Sequence, residues 1–571
     1  MIEVWKRLDK KEVIKVILLV FLQAIGLLML PTLAAQVLNA SIDLDQTRVM
    51  QIGLIMVLST FVTFFFAYQA TKQSAIISQE LGNTLRKEIF SKVMSFSQED
   101  LNQFGSSTLI TRTTNDVMQI QLVTMNVLRM VVMSPIIIIV ASFFAYQTEP
   151  QLAWTFIIVI PLIIIGLVLL LRAVSPLFRS LQKKTDKLNE VFREGLTGIR
   201  VIRAFNTTSF EEERFDNVNS DFRDTSIKSF SRLSFIWPIL IFSIGLNNIM
   251  VFINGSNLAS VGAINVGNII AIVQYGVIIL NAIMQMSMIL FSLPRAQVAA
   301  ERIIDVTNYE PTINDDTQTK SLNDADKLTL TFDHVTFGFP GSKRPAVEDI
   351  NFEVSTGEQL AIIGGTGSGK STIANLIPRL MDVTSGEIRL NGVNIQDISQ
   401  SELREMIGYA TQNAVLFSGT IRSNLQYGKE DATDEELWKA LEIAQGDFVK
   451  TLDAGLDSRV AQGGNNFSGG QRQRIDIARA IISQPSIYLF DDSFSALDFE
   501  TDAKLRHALE PITKDAISII VAQRVNTVVD ADKIVVLDNG KVNGIGTHDE
   551  LLESNEVYKD IVESQLKGEE I

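Results

Sequence analysis

The sequence has no cysteine and only three histidines, His334, His507 and His548, among its 571 residues. The absence of cysteine excludes disulfides, thiolate metal sites and cysteine nucleophiles. Three histidines spread along the chain also argue against a multi-histidine metal site. These absences remove several common metal and nucleophile chemistries from consideration.

Charge is scarce as well, since 20% of the residues are charged and 46% are hydrophobic. The mean hydropathy of +0.21 is too high for a wholly soluble protein. Residues 1–326 contain 27 basic and 27 acidic residues, whereas residues 327–571 contain 23 basic and 38 acidic ones. This division predicts an apolar domain followed by an acidic domain. The acidic balance argues against a nucleic-acid partner, which would need a basic face.

The first 293 residues contain six apolar stretches, each near the length of about 20 residues that a membrane-spanning helix needs. They centre on residues 13–38, 50–68, 127–146, 152–171, 233–253 and 266–293. The first stretch follows several lysines and could be read as a signal peptide, but it is about twice as long as the usual 7 to 15 residues, so we interpret it as a retained helix. Lysine and arginine cluster after the second and fourth stretches, which predicts that the N-terminus and both long loops are cytoplasmic.

The two cytoplasmic connections are about 55 to 60 residues long, and unstructured loops of that length are uncommon in compact domains. Their composition favours helices that continue beyond the bilayer, with a solvated amphipathic linker as the alternative. The cores of the six stretches contain no Asp, Glu or Lys. A proton relay or an ion-coupled transport cycle therefore lacks its usual groups, and transport energy must come from elsewhere.

A phosphate-binding motif lies in the acidic part of the chain, between the apolar run 359–363 and the helical stretch 373–380. The loop reads G-x-x-x-x-G-K-S and consists of Gly364, Gly365, Thr366, Gly367, Ser368, Gly369, Lys370, Ser371 and Thr372. In such loops the backbone N–H groups surround phosphate oxygens, the lysine reaches the β and γ phosphates, and the serine ligates Mg²⁺. We predict these last two roles for Lys370 and Ser371. Asp491 ends an apolar strand about 120 residues later, where P-loop NTPases hold Mg²⁺ from the other side.

The segment 466–474 reads N-F-S-G-G-Q-R-Q-R and resembles the signature sequence of ABC transporter ATPases. Phe339 resembles the adenine-stacking aromatic residue of that family, Gln412 its Q-loop glutamine, and Asp498 the aspartate of its D-loop. Residues 194–200 and 299–303 resemble segments of exporter half-transporters. The likeness therefore extends over nearly the whole chain.

This resemblance implies a fold with two parts. An α-helical six-span membrane domain with long cytoplasmic helical extensions is followed by an α/β P-loop nucleotide-binding domain. We expect the membrane domain at residues 1–310, a linker at 311–327 and the nucleotide-binding domain at 328–571. The resemblance also implies a multi-pass protein of a bacterial plasma membrane, with its N-terminus and ATPase domain in the cytoplasm.

The resemblance further implies that two chains bind ATP and Mg²⁺ together, each ATP lying between the P-loop of one chain and the signature motif of the other. The signature residues expected to contact nucleotide are Ser468, Gly469, Gly470 and Gln471. The groups expected to hold Mg²⁺ are Ser371, Gln412 and Asp491. Partners would be a second half-transporter, membrane lipids and hydrophobic small molecules.

The chain departs from the family at two catalytic positions. Asp492 stands where competent members have a Glu that acts on the attacking water, and Gln523 stands where they have a switch His. Shortening the carboxylate by one methylene withdraws it by about 1.5 Å, and a misplacement of about 1 Å can cost about a hundredfold in rate. Gln523 can hydrogen-bond a phosphate oxygen but has no positive charge to offer. Gln462 is a third departure, where exporters usually place a Glu before the signature.

These departures predict intact ATP binding with slow chemistry at this chain's own site. The chain is then expected to be one half of a heterodimeric exporter of hydrophobic or amphipathic drugs, in which its signature motif completes a competent site on the partner. One alternative is that both substitutions are harmless and the protein is a homodimeric lipid or peptide exporter. Another, from a different class, is an ATP-gated channel or regulatory ATPase.

Overall fold

The computed structural model describes residues 1–315, 320 and 327–569. These residues group into two compact units, one formed by Met1–Met94 with Ser106–Tyr309 and the other by Ser95–Gly105 with Glu310–Ile571. Most of the expected linker, residues 316–319 and 321–326, lies outside the described residues. The domain boundaries given above therefore stay a prediction.

The first unit is helical. Its helices are α1 (Ile2–Trp5), α2 (Lys10–Ile42) and α3 (Gln46–Met94), then, after the short α4 (Gln98–Phe104) of the second unit, α5 (Ser106–Thr111), α6 (Val117–Asn126), α7 (Val132–Thr148), α8 (Pro150–Ala153), α9 (Thr155–Thr197), α10 (Ile199–Ala204), α11 (Thr208–Leu233), α12 (Ile236–Ser260) and α13 (Val266–Thr307). Two π-helical turns, Arg112–Asp116 and Val127–Val131, join α5 to α6 and α6 to α7.

Six helical runs in this unit are long and apolar enough to cross a membrane. They are Lys10–Ile42, Gln46–Met94, Ser106–Thr148, Pro150–Thr197, Thr208–Ser260 and Val266–Thr307. Their lengths, 33 to 53 residues, exceed the roughly 20 residues that span a bilayer. The predicted six-span helical domain with long extensions is confirmed.

Several polar groups inside the helical bundle are hydrogen-bonded to one another. The Tyr275 hydroxyl is completely buried and lies 2.6 Å from the Thr32 hydroxyl, and it donates to the Leu28 carbonyl at 2.7 Å. Asn247 accepts a hydrogen bond from the Thr155 hydroxyl at 3.3 Å. Because an unpaired polar group is costly in a bilayer, these bonds fix how the helices face each other.

The second unit has α/β architecture. Its strands are β1 (Thr329–Phe337), β2 (Val347–Ser355), β3 (Gln359–Gly364), β4 (Ser385–Leu390), β5 (Val393–Asn394), β6 (Ile407–Ala410), β7 (Gly419–Thr420), β8 (Arg459–Val460), β9 (Ile487–Asp491), β10 (Ile517–Ala522), β11 (Lys533–Asp538) and β12 (Lys541–Gly546). Its further helices are α14 (Lys370–Leu376), α15 (Gln400–Glu405), α16 (Ile421–Leu425), α17 (Asp434–Ile443), α18 (Gly469–Ile481), α19 (Phe499–Thr513), α20 (His548–Ser554) and α21 (Glu556–Glu569).

The strands form a six-stranded sheet in the order β12-β11-β3-β10-β9-β6, a four-stranded sheet in the order β2-β1-β4-β5, and a small β7-β8 pair. In the six-stranded sheet β6, β9, β10, β3 and β11 run parallel, which places their carboxyl ends along one edge. Every residue of β9 and β10 is buried, because helices cover both faces of such a sheet. Ligands of open parallel sheets bind at the carboxyl edge. The predicted α/β domain is confirmed.

A short segment from the connection between the second and third spans belongs to the second unit. Helix α4 begins with a capping box formed by Ser97 and Asp100. Asp100 is fully buried and also accepts a hydrogen bond from the Thr312 backbone N–H at 3.2 Å, while the Ser97 and Thr312 hydroxyls lie 2.8 Å apart. These bonds fix α4 against the chain segment that follows α13.

Candidate functional site

The phosphate loop is formed where β3 ends and α14 begins. A Cβ atom on Gly364 would lie 2.3 Å from the Leu537 carbonyl oxygen of the neighbouring strand. Gly369 has a φ of +102°, and a Cβ there would lie 2.5 Å from Cγ1 of Val347. Only glycine fits at these two positions, since a side chain would collide with backbone or core atoms. The conformation of the loop therefore requires glycine at these two positions of the sequence motif.

Lys370 lies inside this loop. Its side chain is 7% exposed, and Nζ donates to the carbonyl oxygens of Gly364 and Gly365 at 2.8 Å each. Burial lowers the pKa of Lys370, while the nearby carboxylates of Asp492 and Asp491 act in the opposite direction. The loop thus holds its cation beside two acidic groups.

The rest of the loop fits a phosphate group. Ser368 is buried, and within the described part of the chain its hydroxyl has no hydrogen-bond partner. A buried hydroxyl without a partner is uncommon and is explained when a ligand supplies one. Thr366 and Gly367 are exposed, so the tip of the loop is open to a ligand. Thr372 lies in the first turn of α14, directly after Ser371.

Asp491 lies at the carboxyl end of β9, opposite the phosphate loop. It is 3% exposed, and its Oδ1 accepts a hydrogen bond from the Ser371 hydroxyl at 3.1 Å. Burial raises the pKa of Asp491, whereas the hydrogen bond from Ser371 and the charge of Lys370 lower it. A carboxylate and a hydroxyl side by side are oxygen ligands of the kind that Mg²⁺ prefers, with nucleotide phosphates and water completing its shell. The residues present fit Mg²⁺ bound together with a nucleotide.

The described residues include no cluster of three or more His, Cys, Asp or Glu side chains that could hold a metal ion. Mg²⁺ in NTPases needs no such cage, because it is held by one or two protein oxygens and the substrate. Gln412, the third group predicted to hold Mg²⁺, directs its amide nitrogen to Oδ2 of Asp492 at 3.2 Å. The structure therefore brings Ser371 and Asp491 together and joins Gln412 to a different carboxylate.

Asp492 is the centre of a small hydrogen-bond cluster. Its Oδ2 accepts from Nε2 of Gln412 at 3.2 Å and from Nε2 of Gln523 at 3.1 Å. Its backbone N–H donates to the Val521 carbonyl at 2.8 Å, and its φ is +49°, a conformation that Asp tolerates better than most residues. We call Gln412, Asp492 and Gln523 the amide clamp. The two catalytic departures of this chain thus contact each other directly.

Helix α18 holds the segment that contains Gln412. The Thr411 N–H donates to Oδ2 of Asp476 at 3.0 Å, and Nε2 of Gln473 donates to the Thr411 carbonyl at 3.0 Å. Asp476 is fully buried and pairs with Arg479. Burial raises the pKa of Asp476, which the charge of Arg479 counteracts. Asp476 was not among the predicted site residues, although a carboxylate between Ile475 and Ile477 is a usable signal, because charged residues are rarely buried without a partner.

The signature motif opens helix α18. Ser468 is its N-cap residue and forms a capping box with Gln471, and Gly469 is exposed while Gly470 is partly buried. Asp498 is the N-cap residue of α19, and its side chain accepts a hydrogen bond from the Thr501 N–H at 2.9 Å. Among the residues that the structure describes, the hydrogen bonds of Ser468 and Asp498 close their own helices and do not reach the phosphate loop.

Three further site residues lie near these elements. Phe339 follows β1, is 50% exposed, and its ring meets that of Phe337 edge-on at 5.0 Å. Arg524, beside the clamp, donates to the carbonyls of Ser495 and Leu497 and so holds the segment that contains the expected D-loop. Arg524 was not among the residues predicted to form the site. Gln462 is exposed.

Comparison with known proteins decides the family. The ABC transporter transmembrane region family matches residues 13–283, and the ABC transporter family matches residues 347–495. An uncharacterized ABC transporter ATP-binding protein of Mycobacterium tuberculosis is 35% identical over 561 residues, covering 97% of this chain and 96% of that protein. The chain belongs to the ABC transporter family.

Other similarities agree with this membership. The uncharacterized ABC transporter ATP-binding protein YfiB of Bacillus subtilis is 36% identical over 544 residues, covering 95% of this chain and 94% of that protein. The fold matches that of a bacterial Atm1-family ABC exporter solved with ATP bound, with a TM-score of 0.80, 23% identity, and coverage of 97% of this chain and 99% of that one. This ABC half-transporter therefore joins a multi-pass membrane domain to a cytoplasmic ATPase domain, and its transport is driven by ATP hydrolysis.

Proposed function

We propose that this ABC half-transporter is the slow-site subunit of a heterodimeric exporter of hydrophobic or amphipathic compounds. The amide clamp is the observation that supports this assignment most strongly. A carboxylate whose Oδ2 already accepts from Gln412 and Gln523 is poorly placed to orient or deprotonate an attacking water. Its shorter side chain, compared with the Glu of competent sites, adds to this deficit.

In this proposal the chain's own P-loop retains a binding role. Lys370 and the loop N–H groups bind the phosphates, Phe339 stacks on adenine, and Ser371 with Asp491 holds Mg²⁺, which neutralises phosphate charge when bound. Gln412 would have to leave the clamp to reach a metal ion held there. The residues needed for binding are all present, and the deficit is limited to the residues that act on water.

The partner chain is then expected to supply the competent P-loop, while this chain supplies the signature motif. Ser468 and Gly469 are exposed at the start of α18 and free to face a second subunit. The N-terminus of a helix of 13 residues is a suitable group for the phosphate of a nucleotide held by the partner. Asp498 would contact the same interface. We infer that the partner has a Glu and a His at the positions of Asp492 and Gln523.

An apolar cavity in the membrane domain supports a hydrophobic cargo. It has a volume of about 430 Å³, lies between α9, α11, α12 and α13, and includes Phe230, Trp237, Leu240 and Met284 in its lining. Aromatic and methionine side chains adapt to ligands of varied shape. None of the described residues that line the cavity is ionisable, so drugs or lipids fit better than ions.

Substitutions within this one chain test the asymmetry. In the heterodimer, Gly469→Asp should abolish ATPase activity and dye efflux, because it disables the competent site that this signature completes. Lys370→Ala should leave more than half of the activity, because it affects only the slow site. A homodimer predicts severe loss from both, since each of its sites needs both residues. Equal loss in the two variants would contradict the asymmetric assignment.

A further inference from the structure

We propose that a groove at the cytoplasmic end of the first and third spans binds an anionic phospholipid of the inner leaflet. The groove has a volume of about 450 Å³. Leu8, Val13 and Ile14 line one side, and Val127, Leu128 and Val132 line the other. Lys10 is the charged residue of its lining. An acyl chain would occupy the apolar part, and the lipid phosphate would lie against Lys10.

The third span is irregular where it forms this groove. Residues Val127–Val131 form a π-helical turn between α6 and α7, and Leu128 within it is 5% exposed. Single π-turns inside α-helices occur frequently at functional sites because they change which side chains face a neighbour. Arg129 lies on the same turn, and the structure gives it no ion pair within the described residues. Apolar lining and a nearby cation thus coincide at this turn.

The N-terminal segment is fixed at the edge of the groove. The Trp5 indole N–H donates to the Thr124 hydroxyl at 2.9 Å, and Trp5 is part of the groove lining. Arg7 pairs with Glu88 of α3 at 2.9 Å. Tryptophan is enriched at the level of lipid headgroups, where its ring meets the apolar region and its N–H a polar group. The segment is therefore held at the membrane interface rather than free in the cytoplasm.

Charge complementarity selects the headgroup. Lys6 and Lys10 are exposed and make no ion pair in the part of the chain that the structure describes. Two of the three neighbouring acids are already engaged, since Asp9 caps α2 and Glu12 pairs with Lys15 at 3.4 Å, and the third, Glu3, lies outside the groove lining. Lysines beside the cytoplasmic leaflet attract anionic lipids. A zwitterionic lipid would fill the apolar groove equally well but would gain nothing from Lys10.

Fluorescence quenching of Trp5 tests the proposal on the full-length chain. Trp154, Trp237 and Trp438 are replaced by Phe, so that Trp5 is the only emitter. The protein is reconstituted in phosphatidylcholine vesicles that contain brominated phosphatidylglycerol or, separately, brominated phosphatidylcholine. Half-maximal quenching should need about fivefold less phosphatidylglycerol than phosphatidylcholine, the preference expected from one lysine. Equal quenching by the two lipids would overturn the anionic site.

Two lysine variants separate a site from diffuse surface charge. Lys10→Gln should remove the fivefold preference, whereas Lys15→Gln, further along α2, should retain it because Lys15 is paired and lies outside the groove. If both variants lose the preference equally, the attraction is diffuse and the site is refuted. Val132→Phe, which fills the groove, should reduce quenching by both brominated lipids. Undiminished quenching in Val132→Phe would refute the acyl-chain placement.

Discussion

The hydrogen bond between Gln523 and Asp492 predicts that the two catalytic departures cannot be reversed one at a time. In Asp492→Glu the longer carboxylate regains the reach of competent sites, but Gln412 and Gln523 still supply amide donors to it. In Gln523→His the imidazole returns, but the carboxylate remains about 1.5 Å short. Each single change therefore corrects one deficit and leaves the other.

The sizes of these effects follow from the geometry. A hydrogen bond to a charged acceptor contributes about 1.5 to 3 kcal/mol, and the two amide donors lie 3.1 and 3.2 Å from the same carboxylate oxygen. Misplacement of a catalytic group by about 1 Å costs about a hundredfold. We expect each single variant to increase the ATPase rate by about two- to fourfold, and the double variant to increase it by about a hundredfold. The coupling free energy between the two positions should then be about 1 to 2 kcal/mol.

The assay is steady-state ATPase turnover of the purified full-length chain in lipid vesicles, measured for the four members of the Asp492 and Gln523 double-mutant cycle. Asp491→Asn in the double-variant background is the control, because it should abolish the gain if the gain arises at this site. Fast turnover of Asp492→Glu alone, within tenfold of the double variant, would refute our interpretation of the clamp.

Three further predictions concern single residues of the ATPase domain. Phe339→Ala should weaken ATP binding about 5- to 150-fold, because a stacked base contributes about 1 to 3 kcal/mol, and unchanged affinity in a nucleotide titration would contradict the adenine assignment. Asp476→Ala should lower the free energy of unfolding by about 3 to 5 kcal/mol, since it leaves Arg479 without its buried partner, and denaturant unfolding would detect the loss. The hydrogen bond to Asp349 raises the pKa of His334, so the stabilising contribution of protonated His334 is present at low pH and is lost as pH rises through that raised value. An NMR titration should place the His334 pKa lower in Asp349→Asn, and no change would contradict the pairing.

Much of the fold could be predicted because membrane spans, phosphate loops and buried strands each place strict physical requirements on the local sequence. A lipid-spanning helix needs a long apolar run, so all six spans were visible in the sequence. The phosphate loop could be predicted because its glycines serve backbone geometry, as Gly364 and Gly369 show. Asp491 was visible as the polar end of a fully buried strand. Each of these signals is local in the sequence.

The contacts of the clamp could not be predicted in the same way. Gln412 is 80 residues from Asp492, and Gln523 is 31 residues from it, so only the packing of β6, β9 and β10 brings them together. The π-turn at Val127–Val131 leaves no clear sequence signal, because all of its residues except Arg129 are as apolar as the helix around it. The inclusion of α4 in the second unit depends on its bonds to Thr312, more than 200 residues away. Such features can be identified only from the tertiary structure.

The most direct test of the asymmetric transporter is ATPase turnover of the purified chain in lipid, measured alone and after co-expression with a second half-transporter of the same genome. That second chain should have Glu and His at the positions of Asp492 and Gln523. We predict slow turnover by the chain alone and turnover at least about a hundredfold faster in the pair. Equally fast turnover by the chain alone would show that Asp492 and Gln523 suffice for hydrolysis, and the homodimer would replace the heterodimer.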